Sequence, residues 1–186
     1  DGITGAELTQ RMNDQARKFG AELKFPEEVV NINLRGETKT VNTKREAYQA
    51  RVLILSTGAQ RKKLLVPGEM EFLGQGVSYC PICDGPFFKG LAVTVIGSGD
   101  EAANDALFMT KIAKKVTMIS SKEEMEMSEA LREKLEEKKN FEVRLNSRVE
   151  AIEGETSVKA IKILDTKTSK QKKIPTDGVF ISLGRV

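Results

Sequence analysis

Tyr79-Cys80-Pro81-Ile82-Cys83-Asp84-Gly85-Pro86-Phe87-Phe88-Lys89-Gly90-Leu91-Ala92-Val93-Thr94-Val95-Ile96-Gly97-Ser98-Gly99 is the stretch on which the reading of this chain turns. Its first part holds the only two cysteines, Cys80 and Cys83, with the carboxylate of Asp84 directly after them. Two sulfurs at that spacing can open and close a disulfide. Its second part, Leu91 to Ile96, is a short apolar run that stops on Gly97-Ser98-Gly99 and is followed by helix periodicity. A strand feeding a nucleotide-type turn has that form. The dithiol and the turn together are far more specific than either alone.

Downstream, the pattern predicts a helix from about Asp100 to Ala113 and a strand at Val116 to Ile119, a βαβ unit with the usual right-handed crossover. A charged helix is expected from Glu123 to Lys139, and strands at Phe141 to Leu145, Arg148 to Ile152, Val158 to Asp165, Gln171 to Ile174 and Gly178 to Ser182. Upstream, Thr4-Gly5-Ala6-Glu7 reads as a capping box opening a helix over residues 5–19, with Gly20 as its stop. Four β-rich runs follow, Ala21 to Phe25, Val29 to Asn33, Thr38 to Val41 and Arg51 to Ser56. Pro67-Gly68 marks a turn-rich segment, with a hinge expected near Glu71 to Gly76.

Composition narrows the function. The chain has 186 residues, 39% of them hydrophobic, which suffices for one ordinary domain or a small domain plus part of another. A net charge of +3 from 30 basic and 27 acidic side chains, with 5% aromatics, offers no basic stripe, so nucleic acid is not an expected partner. No apolar run approaches the ~20 residues that span a bilayer, and the N-terminus has no signal-peptide pattern. The reading is a soluble, cytoplasmic protein with no membrane partner. Two cysteines in a reducing compartment point to catalysis or metal binding rather than to a structural bridge. A structural zinc site wants four Cys or His ligands, and the chain has two Cys and no His. A zinc site shared across a dimer and an inert buried pair remain the alternatives to a redox dithiol.

For such a dithiol to pass electrons, one sulfur attacks a disulfide as thiolate and the other resolves the mixed disulfide. Asp84 could shuttle the proton, or serve as an ordinary cap. Gly97, Ser98 and Gly99 would let a pyrophosphate approach a helix N-terminus, with Ala102 as the small third residue of the fingerprint. Asp100 and Glu101, however, place acid where phosphate oxygens would come. Some 20 residues on, Ile119-Ser120-Ser121-Lys122-Glu123-Glu124 gives neither the acid that reads a ribose nor the arginines that read an extra phosphate.

These residues resemble the low-molecular-weight thioredoxin reductases, which are FAD-dependent pyridine nucleotide-disulfide oxidoreductases. The resemblance runs along essentially the whole chain: Gly2 to Leu8, Ser56-Thr57-Gly58-Ala59, Val66-Pro67-Gly68-Glu69, Gly76 to Gly85, Phe87 to Gly90, Gly97-Ser98-Gly99-Asp100 and Asp177 to Ile181. It implies an α/β fold: a Rossmann-like three-layer nucleotide-binding domain with a β-meander, joined to part of a FAD-binding domain. Residues 1–73 would be the partial FAD-binding domain, 74–178 the pyridine-nucleotide-type domain carrying the dithiol, and 179–186 the return toward the FAD domain. Cys83 resembles the sulfur nearer the flavin, Cys80 the one that attacks the protein substrate, and Asp84 the acid. Thr57, Gly58 and Ala59 resemble backbone lying against FAD. The family's N-terminal FAD fingerprint and C-terminal Gly-Asp flavin segment have no counterpart here, so the chain resembles a fragment that by itself neither holds FAD nor turns over.

The implied function is thioredoxin-disulfide reductase, passing electrons from a reduced donor through FAD and the Cys80-Cys83 disulfide to thioredoxin or a glutaredoxin-like dithiol protein. The complete protein would be a homodimer. Where the family reads the NADPH phosphate with His-Arg-Arg and a later Arg, this chain has Ser120, Ser121, Lys122 and Glu126. NADPH is therefore expected to be a poor donor, and NADH, a reduced deazaflavin or ferredoxin a better one. The alternatives on the same fold are a non-catalytic redox sensor or binding protein, and a ferredoxin- or deazaflavin-linked disulfide reductase.

Overall fold

A computed structural model describes residues 2–186. The chain divides into two compact units, one ending at Thr57 and the other running from Gly58 to Val186.

The first unit opens with α1 (Gly5–Lys18), capped by Thr4, whose side-chain oxygen accepts from the Glu7 N–H at 3.2 Å. Glu7 and Arg11, one turn apart, pair at 2.6 Å. The helix ends at Gly20, whose φ of +84° is a conformation few other residues adopt without strain. An antiparallel meander follows, β1 (Val29–Asn33), β2 (Lys39–Thr43) and β3 (Ala47–Ala50), in the order β1-β2-β3. Two expected strands are absent: residues 21–25 and 52–60 carry no regular secondary structure. The second case has a physical cause. Val52 and Ile54 suit a strand by side-chain type, but a strand exists only where its backbone finds a hydrogen-bonded neighbour, and among the described residues 52–59 have none, Gln60 alone pairing with Val186.

The second unit is built on a parallel five-stranded sheet comprising β4 (Val77–Ser78), β5 (Ala92–Ile96), β6 (Lys115–Ile119), β7 (Phe141–Arg144) and β11 (Gly178–Ile181), ordered β4-β11-β5-β6-β7. Period-two alternation sorts its side chains into two cores. Val93, Val95, Val116, Met118 and Phe180 join Ala102, Ala103, Ala106 and Met109 of α3 (Asp100–Met109) and Leu135 of α4 (Glu129–Glu136). Ile96, Ile119, Val179 and Ile181 join Val149, Ile152, Ile161 and Ile163 of a second meander, β8 (Ser147–Gly154), β9 (Val158–Asp165) and β10 (Gln171–Pro175). The result is the expected α/β architecture: helices, a parallel sheet and an antiparallel meander in three layers.

Two helices are shorter than their sequence periodicity suggests. α3 stops at Met109 because the last turn tightens, and the Asn140 side chain donates to the carbonyls of Thr110 and Ala113, each at 3.0 Å. The charged helix begins only at Glu129. Residues 121–128 instead cross the glycine turn as a strap, with the Glu126 N–H donating to the Ser98 carbonyl at 2.8 Å and the Ser128 N–H to Asp100 Oδ1 at 2.6 Å. Burial of Met127 holds the strap down.

Candidate functional site

The dithiol sits on α2 (Pro81–Asp84), a four-residue helix continued by a 3-10 turn at Gly85–Phe88. Pro81 starts it well, because the N–H that proline lacks would have no partner in a first turn. The segment is pinned from below. A Cβ on Gly85 would lie 3.0 Å from Met109 Sδ and 3.1 Å from the Phe108 ring, so α2 packs closely onto α3 at this glycine. Phe88 meets Phe180 edge to face, with centroids 5.2 Å apart. Cys80 and Cys83 are joined as a disulfide with their Cα atoms 5.3 Å apart. The Cys83 N–H donates to Cys80 Sγ at 3.3 Å. Cys83 is exposed, and so are its apolar neighbours Ile82 (72%) and Phe87 (80%). Cys83 therefore lies open to solvent beside exposed apolar side chains, while Cys80 is half-buried.

Asp84 is half-buried. Its Oδ2 accepts the Ser78 hydroxyl at 2.6 Å, and the same Ser78 oxygen accepts the Cys80 N–H at 2.9 Å. Next to this group, the buried Glu69 carboxylate accepts from the backbone N–H groups of Leu64 (2.9 Å) and Leu65 (2.5 Å) and from the Tyr79 hydroxyl. Burial, helped by the Glu69 charge, pushes the Tyr79 phenol well above its ordinary range. Ser78 and Glu69 lie in stretches that carry the resemblance, but their hydrogen bonds to Asp84, Cys80 and Tyr79 have no signal in the sequence.

The glycine turn follows β5, at the carboxyl end of the strand where the chain leaves in one direction for β6 and β7 while β11 and β4 lie on the other side. That is the topological switch point at which open α/β sheets bind ligands. Gly97 has no room for a side chain, since its Cβ would come within 2.3 Å of the Ser182 carbonyl oxygen and 2.6 Å of Ala102 Cβ. Gly99 is the N-cap of α3. A groove of about 470 Å³ opens beside the turn, walled by Ile96, Gly97, Ser98, Ser120, Lys122 and Arg148 among others.

The acids around the turn are all engaged. Glu101 is paired with Arg61 and lies 3.8 Å from Arg185, so the repulsion expected of it is offset within the fold. Asp100 anchors the strap. Glu126 accepts the Ser98 hydroxyl at 3.2 Å and pairs with Lys122, whose ammonium holds it below the usual carboxylate range. Arg148, the other cation on the groove, stands 3.7 Å from Glu150. The remaining residues singled out by sequence, Thr57, Gly58 and Ala59, are exposed and irregular, with Gly58 at φ +74° and open space where a Cβ would stand.

A parallel nucleotide-type sheet with a disulfide on a short helix beside it is the frame of a class of α/β proteins, the disulfide oxidoreductases built on nucleotide-binding sheets. Residues 3–186 match the profile of the pyridine nucleotide-disulphide oxidoreductases, and the chain belongs to that family. It is 39% identical to the thioredoxin reductase of Treponema pallidum over 184 residues, 99% of this chain and 60% of that protein. Among solved structures it is similar to the thioredoxin reductase of Giardia duodenalis, with 31% identity, a TM-score of 0.81, and coverage of 98% of this chain and 60% of that one. It is also similar to the ferredoxin-flavin thioredoxin reductase of Clostridium acetobutylicum, with 30% identity, a TM-score of 0.51, and coverage of 97% and 57%. The chain spans about 60% of the length of the thioredoxin reductase of Treponema pallidum. No helix among the described residues is long and apolar enough to cross a membrane.

Proposed function

We propose that this chain is the dithiol-bearing part of a thioredoxin-disulfide reductase, acting on thioredoxin or a glutaredoxin-like dithiol protein in the cytoplasm as a homodimer. The observation that carries the reading is the Cys80–Cys83 disulfide, open to solvent at Cys83 beside exposed apolar side chains and backed by a hydrogen-bonded carboxylate. When bound, FAD supplies the electron pair that opens this disulfide. The exposed Ile82 and Phe87 suit a flavin ring beside Cys83. Thr57, Gly58 and Ala59 are assigned to backbone contact with FAD, with open space where a Gly58 side chain would stand. Cys83 is assigned as the sulfur nearer the flavin, Cys80 as the one that attacks the partner, and Asp84 as the group that moves the proton. Residues 1–73 are assigned to a FAD-binding domain, 74–178 to the pyridine-nucleotide domain, and 179–186 to the return.

The turn from Gly97 to Ala102 is assigned to the pyrophosphate of a nicotinamide dinucleotide, with NADH, or a donor such as reduced deazaflavin or ferredoxin, preferred over NADPH. Two cations line the groove, Lys122 and Arg148, and each already faces a carboxylate. An extra phosphate would have to displace one of these carboxylates from its cation. The solved relative whose name includes ferredoxin lends a donor other than NADPH some support.

The test is turnover of thioredoxin disulfide by the complete flavoprotein, with NADH and NADPH compared and Cys83→Ser beside the wild type. Activity lost in Cys83→Ser and faster flavin reduction by NADH are expected. Turnover that survives the substitution would overturn the assignment, and rapid reduction at micromolar NADPH would overturn the choice of donor.

A further inference from the structure

We propose that Met125 and Met127, on the strap that crosses the glycine turn, are a modification site: hydrogen peroxide converts them to sulfoxides and thereby lifts the strap off the turn. Neither the dithiol nor a bound nucleotide takes part.

The strap has two faces. Glu126 meets the turn: its N–H donates to the Ser98 carbonyl at 2.8 Å, its carboxylate accepts the Ser98 hydroxyl at 3.2 Å, and its backbone forms a parallel bridge with Gly99. The methionines on either side of it point elsewhere, as alternation along an extended segment requires. Both line a groove of about 390 Å³, walled also by Leu135, Phe141 and Val143, which gives a small oxidant a route to their sulfurs. Met127, 9% exposed, belongs to the apolar cluster shared by the sheet, α3 and α4, and the half-buried Met125 packs against the same cluster. Oxidation turns a thioether from an apolar filler into a polar group with a strong acceptor oxygen. Such an oxygen is costly to leave among alanine, valine and leucine side chains, so a sulfoxide at Met127 turns out to water and the strap follows. The other four methionines calibrate the chemistry: Met12 and Met70 are more than half exposed and lie off the strap, whereas Met109 and Met118 are wholly enclosed. The cysteines, already joined to each other, offer peroxide no thiol.

In the step itself, a sulfur lone pair attacks one oxygen of hydrogen peroxide. The S–O bond forms as the O–O bond breaks, the attacked oxygen passes its proton to the departing hydroxide, and water leaves. The sulfur is oxidised by one electron pair and the peroxide reduced by the same pair. Met125, the more exposed of the two, reacts first; Met127 is the one whose burial holds the strap down. Its release undoes the Glu126 contacts with Ser98 and the bond from the Ser128 N–H to Asp100 Oδ1, and the glycine turn is uncovered.

The experiment is amide hydrogen exchange, read by mass spectrometry, on the 186-residue chain before and after treatment with hydrogen peroxide, with the sulfoxides located by peptide mass. Met12 and Met70 are expected to oxidise first, Met125 and Met127 next, and Met109 and Met118 not at all. Exchange in the strap, residues 121–128, should rise about tenfold once Met127 carries oxygen, the equivalent of losing one hydrogen bond, while β5 stays protected. Met127→Leu, close to methionine in volume, should keep the strap protected after peroxide. Met127→Gln, polar and of similar length, should exchange fast without it. Should Met127→Leu fold poorly, treatment of the oxidised wild type with methionine sulfoxide reductases takes its place and must restore protection. A strap that stays protected with Met127 fully oxidised, one that loosens equally in Met127→Leu, or an equal rise in β5 overturns the proposal. So does a Met127 left untouched while Met12 and Met70 are consumed.

Discussion

The helix Gly5–Lys18 and the strand Ala92–Ile96 both carry a clean apolar periodicity, yet the helix buries none of its residues while the strand buries four of its five. The contrast holds for the units around them. In the first, Phe19, Phe25 and Ile54 stand more than 80% exposed; in the second, Val95, Ile119 and Phe180 are wholly enclosed. Periodicity says which face an element could bury. Whether it does so depends on a partner surface, and the sheet from Gly58 onward finds one on each side.

The contrast can be tested by mutation, from the largest effect downward. Phe180→Ala should cost about 3–5 kcal/mol in urea unfolding, since it removes a fully enclosed ring and its edge-to-face contact with Phe88. A cost below about 1 kcal/mol would mean the second unit lacks the tight core described here. Asp105 gives a smaller, pH-dependent effect. Burial pushes its carboxyl above the ordinary range, with the Glu101 charge adding to the shift and the Ser182 hydroxyl opposing it. A raised folded-state value means that the native chain holds this proton more tightly than the unfolded chain, so the group's contribution is present at low pH and is lost as pH rises through the window above the usual aspartate value. Unfolding of wild type and Asp105→Asn from about pH 4 to pH 7 should show the variant gaining on the wild type with rising pH. A difference that stays flat or reverses would refute the burial argument. At the bottom of the scale, Ile54→Ser should shift stability by no more than about 0.5 kcal/mol, and a loss near that of Phe180→Ala would erase the contrast between the units.

Much of the fold was legible. The strand before the glycine turn, the βαβ unit, the second meander and the Thr4 cap all follow from alternation, turn residues and capping chemistry, which act over a few residues. Two of the misreadings share one cause. Arg51 to Ser56 has the side chains of a strand but no pairing neighbour, and Glu123 to Lys139 has helical periodicity throughout while its first turns are drawn across Gly99 by hydrogen bonds to Ser98 and Asp100. In both, a contact beyond the local window, or the lack of one, outweighs local preference. The site divides the same way. Cys80, Cys83, Asp84 and the glycine turn announce themselves by spacing, whereas Ser78 and Glu69 matter only through where their oxygens end up.

The sequence by itself determined that two sulfurs three positions apart would share a short turn, that a strand would run into a glycine-rich bend, and that the sheet's apolar residues would face two ways. These depend on backbone geometry over one or two turns of chain. Only the tertiary structure decided that Glu101 would be met by Arg61 from forty positions away, and that a hydroxyl on the sheet would tie Asp84 to Cys80. Sheet register brings such groups together, and it is set by packing across the whole unit.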